Sequence, residues 1–264
     1  MTARTVPKGL APLLELLELE QPRVVTGAQL AEWASRVGVR WPAAVVVRQL
    51  RERGWLLDLQ TRGVWEFAPA ARAGAFGSGD PFIELRASLA RNPDAPYAVA
   101  AESAAYMLGL ASRRSAREAV SAPPSSRPPK ALAGFRVVRW SARAKGERLE
   151  GLPVWSTATL LAFMATRPGG YGDWPNVGEW LRDAAARVEV DDVLTELEGR
   201  PRSAWARAAY LLGRGQRPES AQRVLSAAPA GDGPYYLGER RGAPGRFWAE
   251  FDVVDSTGLE VAVS

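Results

Sequence analysis

Three acids near the end of the chain, Glu250, Asp252 and Asp255, are the residues best placed by type to hold a metal ion and activate water. They lie on or directly after the strand-like segment Phe247 to Val254 and so resemble the carboxylate cluster of a metal-dependent nuclease. Such enzymes need a lysine or another base near the metal, and all three lysines of this chain lie far away in sequence. Because alternating acids on a strand are more often its solvated face, we expect no metal site here.

The residue types that carry most enzyme chemistry are missing, since the chain has no histidine and no cysteine. It therefore cannot form a disulfide, a Cys/His zinc site, a thiol nucleophile or a Ser-His-Asp triad. Its glycine-rich segments lack the P-loop spacing that ends in Lys-Ser or Lys-Thr, and no GxGxxG motif lies between a strand and a helix. We expect a protein that is not an enzyme and that needs no cofactor.

The segment after Trp41 has the pattern of a DNA-reading helix. Pro42 suits a first helical turn, and the helix is predicted to run to about Arg53 and to end at Gly54. On a helical wheel, one arc of about 100° holds four apolar residues and is predicted to face the core. These residues are Ala43, Val46, Val47 and Leu50.

The opposite face of this helix presents small, amide and basic side chains. Small residues near the helix start let the backbone approach base edges, glutamine can pair with adenine, and arginine can bind guanine or phosphate. Arg40 before the helix and Arg62 at a hairpin tip would flank it as phosphate or minor-groove contacts. The predicted DNA-binding residues are Arg40, Ala44, Val45, Arg48, Gln49, Arg51, Arg53 and Arg62. The alternative is that Arg48 and Glu52, at i and i+4, simply pair on a solvated surface.

The elements around this helix predict a winged helix-turn-helix. An amphipathic helix spans Pro7 to Glu20, and Thr26 with Gln29 forms a capping box that opens a second helix. After the third helix the apolar period becomes that of a strand, and the runs Trp55 to Leu59 and Val64 to Ala68 predict a hairpin. Three helices closed by a hairpin are the order of a winged helix. The alternative is a generic small helical domain that carries a hairpin.

Length and charge predict two domains with different partners. The chain has 264 residues, a net charge of +5 and a pI of about 9.9, values that fit nucleic-acid binding without requiring it. The charge is +3 over residues 1–75, +5 over 76–150 and −3 over 151–264. The breaker-rich stretch from Pro69 to Pro81 predicts a linker, so we expect a winged-helix DNA-binding domain at 1–75 and an interaction domain at 76–264. The sequence shows no membrane-spanning run and no signal-peptide pattern, so a cytoplasmic location is expected.

Residues 76–264 mix helix and strand patterns irregularly, which predicts an α+β fold: a larger mixed α/β domain with a helical C-terminal part, not a parallel nucleotide-binding sheet. The basic, proline-rich stretch 111–134 is predicted to be a long exposed connection. Later helix starts are predicted from caps at Ser156 or Thr157, at Asn176 with Glu179, and at Asp191. The predicted helices are 81–91, 102–108, 157–164, 176–188, 191–198, 201–212 and 218–227. The predicted strands are 97–100, 135–141, 152–155, 235–237, 247–254 and 259–263.

Four stretches carry a resemblance to a known family. They are Arg48–Leu56 (RQLRERGWL), Ala101–Leu110 (AESAAYMLGL), Gly151–Trp174 (GLPVWSTATLLAFMATRPGGYGDW) and Gly199–Gly213 (GRPRSAWARAAYLLG). Together they resemble the AbiEi-type antitoxins, the regulatory half of AbiE toxin–antitoxin pairs, and especially their mycobacterial branch. Family members often carry a histidine in the Ser-Ala helix, where this chain has Tyr106 and Met107. A structural role is therefore expected for that position.

The resemblance implies a DNA-binding N-terminal domain that represses its own operon by binding repeats in the promoter. It also implies a C-terminal domain that neutralises a cognate nucleotidyltransferase toxin, directly or indirectly. The expected partners are double-stranded operator DNA and the toxin, and no membrane is expected to be bound. If the operator has two half-sites, we expect the protein to dimerise on DNA. The alternative is a stand-alone winged-helix regulator whose C-terminal region senses a ligand or another protein.

Overall fold

A computed structural model describes residues 5–71, 77–238 and 244–260 of the chain. By its internal contacts the chain divides into two compact units, Met1–Ala95 with Arg127–Gly134, and Pro96–Ser126 with Phe135–Ser264. Across the described ranges, no helix is long and apolar enough to cross a bilayer.

The first unit contains the predicted winged helix-turn-helix, followed by one further helix. Its elements are α1 (Ala11–Glu20), β1 (Val24–Thr26), α2 (Gly27–Arg36), α3 (Ala43–Glu52), β2 (Leu56–Asp58), β3 (Val64–Phe67) and α4 (Ile83–Arg91). The three strands form an antiparallel sheet in the order β1-β3-β2. The strand β1 is not predicted from the sequence, because its three residues run directly into the cap of α2 and leave no room for an alternating pattern.

The core of this unit uses the apolar faces that the helical period predicts. The α1 leucines Leu13, Leu14 and Leu17 are buried, and on α3 Val46 and Leu50 are buried as well. These side chains pack into one apolar cluster with residues of α2 and the sheet, and this cluster fixes the orientation of α3.

The helix boundaries follow local capping chemistry. The Gln29 N–H donates to Thr26 Oγ1 at 3.2 Å, and the Thr26 N–H donates to Gln29 Oε1 at 2.9 Å, which confirms the capping box of α2. Ala43 is exposed, so its predicted place in the core is wrong. As the first residue of α3 it lies at an open groove between α2 and α3, beyond the part of the helix that α2 covers.

The stretch predicted to be a linker partly belongs to the first unit. Residues 72–76 lie outside the described residues, and so does the predicted boundary between 75 and 76. The following residues are fastened to the winged helix: Asp80 accepts from Arg23 Nη1 at 3.0 Å and from Arg86 Nε at 2.6 Å. The Ser78 N–H donates to the buried carboxylate of Glu66 on β3. The division into domains at residue 75 stays a prediction.

Asp80 should contribute strongly to the stability of the first unit at neutral pH. Burial raises its pKa, but the Phe82 N–H and the guanidinium groups of Arg86 and Arg23 outweigh burial and hold the pKa below its usual range. We expect Asp80→Ala to lower the free energy of unfolding by about 3–5 kcal/mol, because Arg86 is left buried without this partner.

The pH dependence of this effect has a defined sign. A carboxyl whose folded pKa is depressed stabilises the fold above its unfolded pKa, and this contribution is lost as pH falls through the folded pKa. In urea titrations the gap between wild type and Asp80→Ala should therefore be full at pH 7 and shrink below about pH 4. A gap that stays constant down to pH 2 would contradict a role for the Asp80 charge.

The second unit combines a five-stranded mixed sheet, six helices and a small C-terminal sheet among its described residues. Its first elements are β4 (Ala98–Val99), α5 (Ala101–Met107), β5 (Ala119–Ala122), β6 (Arg136–Arg139), β7 (Glu147–Leu149), β8 (Leu152–Val154) and α6 (Thr157–Thr166). They are followed by α7 (Trp174–Arg187), α8 (Val190–Leu197), α9 (Arg202–Arg214), α10 (Pro218–Ala227), β9 (Tyr235–Leu237), β10 (Arg246–Trp248) and β11 (Val253–Asp255). The large sheet has the order β6-β5-β4-β8-β7 and the small one β10-β11-β9. This is the predicted α+β class.

The prediction of a long exposed connection over 111–134 is wrong at β5. All four residues of β5 are buried, and the strand pairs with β4 on one side and β6 on the other. Its small side chains fit beneath larger ones: the indole Nε1 of Trp155 donates to Ser121 Oγ at 3.0 Å. Alanine and serine have weak strand propensity, so this strand depends on its neighbours more than on its own sequence.

Predicted starts of the later helices are partly confirmed. Ser156 caps α6, since its Oγ accepts from the Thr159 N–H at 3.2 Å. The capping box at Asn176 is wrong, because Pro175 suits the first turn and α7 already begins at Trp174. Asp191 lies inside the first turn of α8 and is not its cap.

The C-terminal strand predicted over 247–254 is in fact a hairpin. The strands β10 and β11 pair antiparallel, and Asp252, with φ of 55°, occupies the left-handed region in the turn between them. The last predicted strand, 259–263, extends beyond the described residues, which end at Glu260.

Four helices of the second unit have their C-terminal carbonyls bound by an arginine from another part of the chain. Arg207 Nη1 donates to Ala165 O of α6 at 3.2 Å, and Arg217 Nη1 donates to Ala185 O of α7 at 3.0 Å. Arg143 binds the carbonyl of Glu198 after α8, and Arg202 binds Leu225 O of α10 at 3.3 Å. The positive charge also matches the negative end of each helix dipole. We call these four residues the capping arginines.

Candidate nucleic-acid interface

The face of α3 that the sequence assigns to DNA points away from the core. Ala44, Arg48 and Arg51 are exposed, and Val45 and Gln49 are half-buried. Burial of Val46 and Leu50 on the other side leaves this face free to approach a DNA groove. Contact of these residues with DNA stays a prediction.

The C-terminal half of this face is tied into a side-chain network of its own. Arg53 Nη1 donates to Gln49 Oε1 at 2.5 Å, and Gln49 Nε2 donates to Glu52 Oε2 at 3.3 Å. Glu52 Oε1 also lies 3.9 Å from Arg48 Nε. This is the i,i+4 ion pair that the sequence allows as the alternative to DNA contact by Arg48. Gln49 and Arg53 must exchange these bonds for base or phosphate contacts if they bind DNA.

Arg51 is held by a carboxylate on the wing. Its Nη2 donates to Asp58 Oδ2 at 2.5 Å, and this hydrogen bond and the attraction of the charge raise the pKa of Arg51. Both side chains are largely exposed, so the pair contributes little to stability. The pair joins the end of α3 to β2, which favours a positioning role for Arg51.

Arg40 and Arg62 differ from the other predicted arginines. Both are exposed, and in the part of the chain that the structure describes neither has a carboxylate within 4 Å. Arg40 lies in the turn before α3, and Arg62 lies at the tip of the wing between β2 and β3. Two uncompensated guanidinium groups therefore bracket α3.

The wing tip is fastened by α4, a helix that the sequence predicts but whose contacts with the wing it does not. Glu84 accepts from the Gln60 N–H at 2.7 Å and from Thr61 Oγ1 at 3.2 Å, and Arg91 Nη1 donates to Arg62 O at 3.2 Å. These bonds fix the backbone of the tip while leaving the Arg62 side chain exposed. The only sequence signal is the placement of Glu84 and Arg91 two turns apart on one helix.

A groove of about 450 Å³ lies between α2 and the start of α3. Small side chains of both helices line it together with Arg40 and Trp41. Trp41 is 39% exposed, which is unusual for a tryptophan, and its ring also covers Gly9. The sequence indicates Trp41 only as the start of α3. The structure places its side chain on the exposed surface next to Arg40.

The acids of the C-terminal hairpin do not form a metal site. Among the described residues no group of three potential ligands is arranged to hold a metal ion. Asp255 is buried, so its predicted place on a solvated face is wrong. It accepts from Tyr210 OH at 2.7 Å and from the Thr257 N–H at 2.8 Å, and burial together with the Asp255 hydrogen bond raises the pKa of Tyr210. The bond from Tyr210 fastens β11 to α9.

Comparison with known protein families gives a match that lies within the second unit. Residues 97–214 match the AbiEi antitoxin C-terminal domain family. The chain also matches the crystal structure of the RV2827C protein from Mycobacterium tuberculosis, with 30% sequence identity and a TM-score of 0.80. The match covers 97% of this chain and 94% of the RV2827C chain. The chain belongs to the AbiEi antitoxin family. No curated protein matches it. Because the AbiEi family consists of antitoxins, its members being regulatory proteins, this chain is an antitoxin of a toxin–antitoxin pair.

Two of the stretches that resemble AbiEi antitoxins, Ala101–Leu110 and Gly151–Trp174, contact each other inside the second unit. In the Ser-Ala helix α5, buried Glu102 accepts from the Gly172 N–H at 2.6 Å and pairs with Arg136 of β6. Tyr106 of the same helix is half-buried, with Arg114 Cζ 5.3 Å from its ring centroid. Arg114 thus packs on the Tyr106 ring, and the structural role of this position stays a prediction.

Proposed function

We propose that this AbiEi antitoxin represses its own operon by binding promoter DNA through the winged helix. The observation that carries the proposal is a pair of exposed guanidinium groups, Arg40 before α3 and Arg62 at the wing tip, with no carboxylate of the described residues within 4 Å of either. Guanidinium groups so placed can contact phosphates on both sides of the groove that receives α3.

Base reading is assigned to the exposed face of α3. Ala44 and Val45 are small enough for a close approach and can contact a thymine methyl group, and Arg48 can reach guanine or phosphate. Gln49 can pair with adenine if Arg53 and Glu52 release it. Repeated sites in the promoter would require two copies of the chain on DNA, so we propose dimerisation there.

The second unit is proposed to neutralise a nucleotidyltransferase toxin, either by direct contact or indirectly. The match of residues 97–214 to the antitoxin family supports this over a stand-alone regulator that senses a ligand. In this proposal the chain itself has no catalytic activity, and it acts in the cytoplasm, where its operator and the toxin would be.

Two measurements test the proposal. Fluorescence anisotropy with labelled DNA from upstream of the gene should show specific binding whose affinity falls steeply between 50 and 200 mM salt, by about a thousandfold if six phosphates are contacted. We expect the adjacent reading frame to encode a nucleotidyltransferase whose expression is tolerated with the full chain and lethal without it. Absence of binding to upstream DNA would overturn autorepression, and failure to protect the cell would overturn neutralisation.

Removing the one acid on the DNA-facing side of α3 should strengthen binding. Glu52→Gln deletes a negative charge that would face phosphates, and it releases Arg48 from the ion pair at 3.9 Å. We expect operator affinity to rise about threefold to tenfold, with a steeper salt dependence.

Glu179→Gln, which removes an exposed acid from α7 of the second unit, is the matched control and should leave affinity within twofold. A fall in affinity for Glu52→Gln would show that the network holds α3 in its binding conformation.

A further inference from the structure

The helix α1 carries a second apolar stripe on the face turned away from the core. Pro12, Leu16 and Leu19 follow one another at i, i+4 and i+7, so they lie on one side of the helix, opposite the leucines that enter the core. Pro12 is exposed, Leu16 is half-buried, and Leu19, at 80% exposure, is the most exposed large apolar side chain of the described residues. Val6, just before the helix, is 53% exposed. We call Val6, Pro12, Leu16 and Leu19 the α1 stripe.

The charged residues around this stripe are sorted along the helix and oppose its dipole. Lys8 lies two residues before the N-cap Leu10, at the positive end of the dipole, while Glu15 lies in the middle of the helix and Glu20 at its negative end. The first turn has no acid and the last turn has no base. Lys8, Glu15 and Glu20 are exposed, and in the described ranges none of them forms an ion pair. The segment therefore offers an uncompensated positive charge at one end and uncompensated negative charge towards the other.

A second copy of α1 laid antiparallel on the first satisfies the stripe and the charges in one register. When Lys8 of one copy lies level with Glu15 of the other, opposite charges meet on both sides of a twofold axis. The same register brings the two copies of Pro12 together near the axis, and it lays Val6 of each copy level with the two leucines of the other stripe. Parallel helices would instead place lysine beside lysine and glutamate beside glutamate.

We propose that the α1 stripe is a contact surface between two copies of this chain, with the two α1 helices antiparallel. The contact names the surface for the dimerisation on DNA proposed above, and in this respect it rests on the proposed function. Its recognition chemistry is an apolar seam flanked by a lysine and a glutamate from each copy. The surface belongs to the first unit and uses no residue of the exposed face of α3.

The size of the stripe indicates a contact that forms when two copies are already close together. Specific and stable interfaces bury about 1,200–2,000 Å² of total surface, more than one face of a ten-residue helix supplies. Neighbouring promoter repeats would hold two copies side by side, so that a weak contact is made at a high effective concentration. We therefore expect weak association in free solution and cooperative binding on DNA.

Chemical crosslinking tests the antiparallel register in the full chain, which has no cysteine of its own. Lys8→Cys and Glu15→Cys proteins are mixed in equal amounts at 200 μM and treated with a short bismaleimide, and mass spectrometry identifies the dimers. One native pair of Lys8 and Glu15 stays intact in the mixed dimer, so we expect the mixed dimer to exceed either self-linked dimer at least fivefold. The control mixes Lys8→Cys with Glu32→Cys, an exposed position of α2, and should give a statistical yield. A statistical yield for the test pair, or an excess of self-linked dimers, overturns the proposal.

Charge reversal provides variants in which folding is not at risk. Lys8→Glu places an acid at the positive end of the helix dipole, so the melting temperature should stay equal or rise. In sedimentation equilibrium at 200 μM, Lys8→Glu and Glu15→Lys should each weaken self-association at least fivefold, and the protein with both changes should regain it. Glu32→Lys is the matched control and should change self-association less than twofold. If the double reversal does not restore association, the two charges do not pair and the register is wrong.

DNA with one or two promoter repeats separates this proposal from promoter recognition. On two repeats the wild type should bind with a Hill coefficient of about 2 and Leu19→Glu with one of about 1, while both proteins should bind a single repeat alike. The exposure of Leu19 means that this substitution should leave the fold unchanged. Equal cooperativity of the two proteins overturns the contact. Failure of promoter recognition would abolish binding to both duplexes and leave the crosslinking result in place, so failure of the contact and failure of the proposed function are distinguishable.

Discussion

Replacing Arg40 and Arg62 together by glutamine is expected to weaken promoter binding by about 100-fold, because each phosphate or groove contact is worth roughly 1–3 kcal/mol. Both side chains are exposed, and among the described residues no carboxylate lies within 4 Å of either, so no ion pair seen there is given up on binding. The slope of log K against log salt should flatten by about 1.8. Anisotropy titrations at three salt concentrations measure both quantities.

The control for this prediction is Arg113→Gln with Arg223→Gln, which has the same net charge and leaves the winged helix intact. An equal loss of affinity in the control would mean that net charge alone governs binding. Arg51→Gln provides a second comparison, because Arg51 is already paired with Asp58 at 2.5 Å. If Arg51→Gln costs more affinity than the double variant, the bracketing arginines are not the main contacts.

Glu102→Ala is expected to destabilise the second unit by about 3–5 kcal/mol, since removing one partner leaves the other buried charge uncompensated. The substitution removes the ion pair with Arg136 and leaves the Gly172 N–H without its acceptor. Arg136 is partly buried, and burial lowers its pKa, so removing the carboxylate leaves a desolvated guanidinium that keeps its bond to Gly170 O at 2.7 Å. Chemical denaturation followed by circular dichroism measures the change in unfolding free energy.

Loss of this unit should also abolish protection from the toxin at 37 °C while DNA binding by the first unit is spared. Glu179→Ala, which removes an exposed acid from α7, is the matched control and should change stability by less than about 0.5 kcal/mol. Wild-type stability of Glu102→Ala would show that the buried ion pair makes no net contribution to the fold.

The winged helix could be predicted because its sequence signals are local. A capping box between Thr26 and Gln29, an apolar stripe on α3 and a change of period at Trp55 each depend on neighbours a few residues away. The strand β5 could not be predicted, because four small residues become a buried strand only once Trp155 and the flanking strands cover them. Short elements whose stability comes from tertiary contacts carry little signal of their own.

The candidate DNA surface was predictable as a set of residues but not as a set of bonds. Spacing places Arg48, Gln49 and Arg53 near one another, yet it does not reveal that Gln49 bridges Arg53 and Glu52. Nor does spacing reveal that the wing tip is fixed by Glu84 on α4, since a contact over more than twenty residues depends on how the helix packs.

The capping arginines have a consequence for how the second unit folds. Each of the four helices has a C-terminal carbonyl bound by a guanidinium from another segment, a contact that the isolated helix cannot make. The helix α9 supplies two of these donors, to α6 and to α10. Fraying at one terminus therefore removes support from another, and the helices α6 to α10 should unfold as one cooperative block and not one by one.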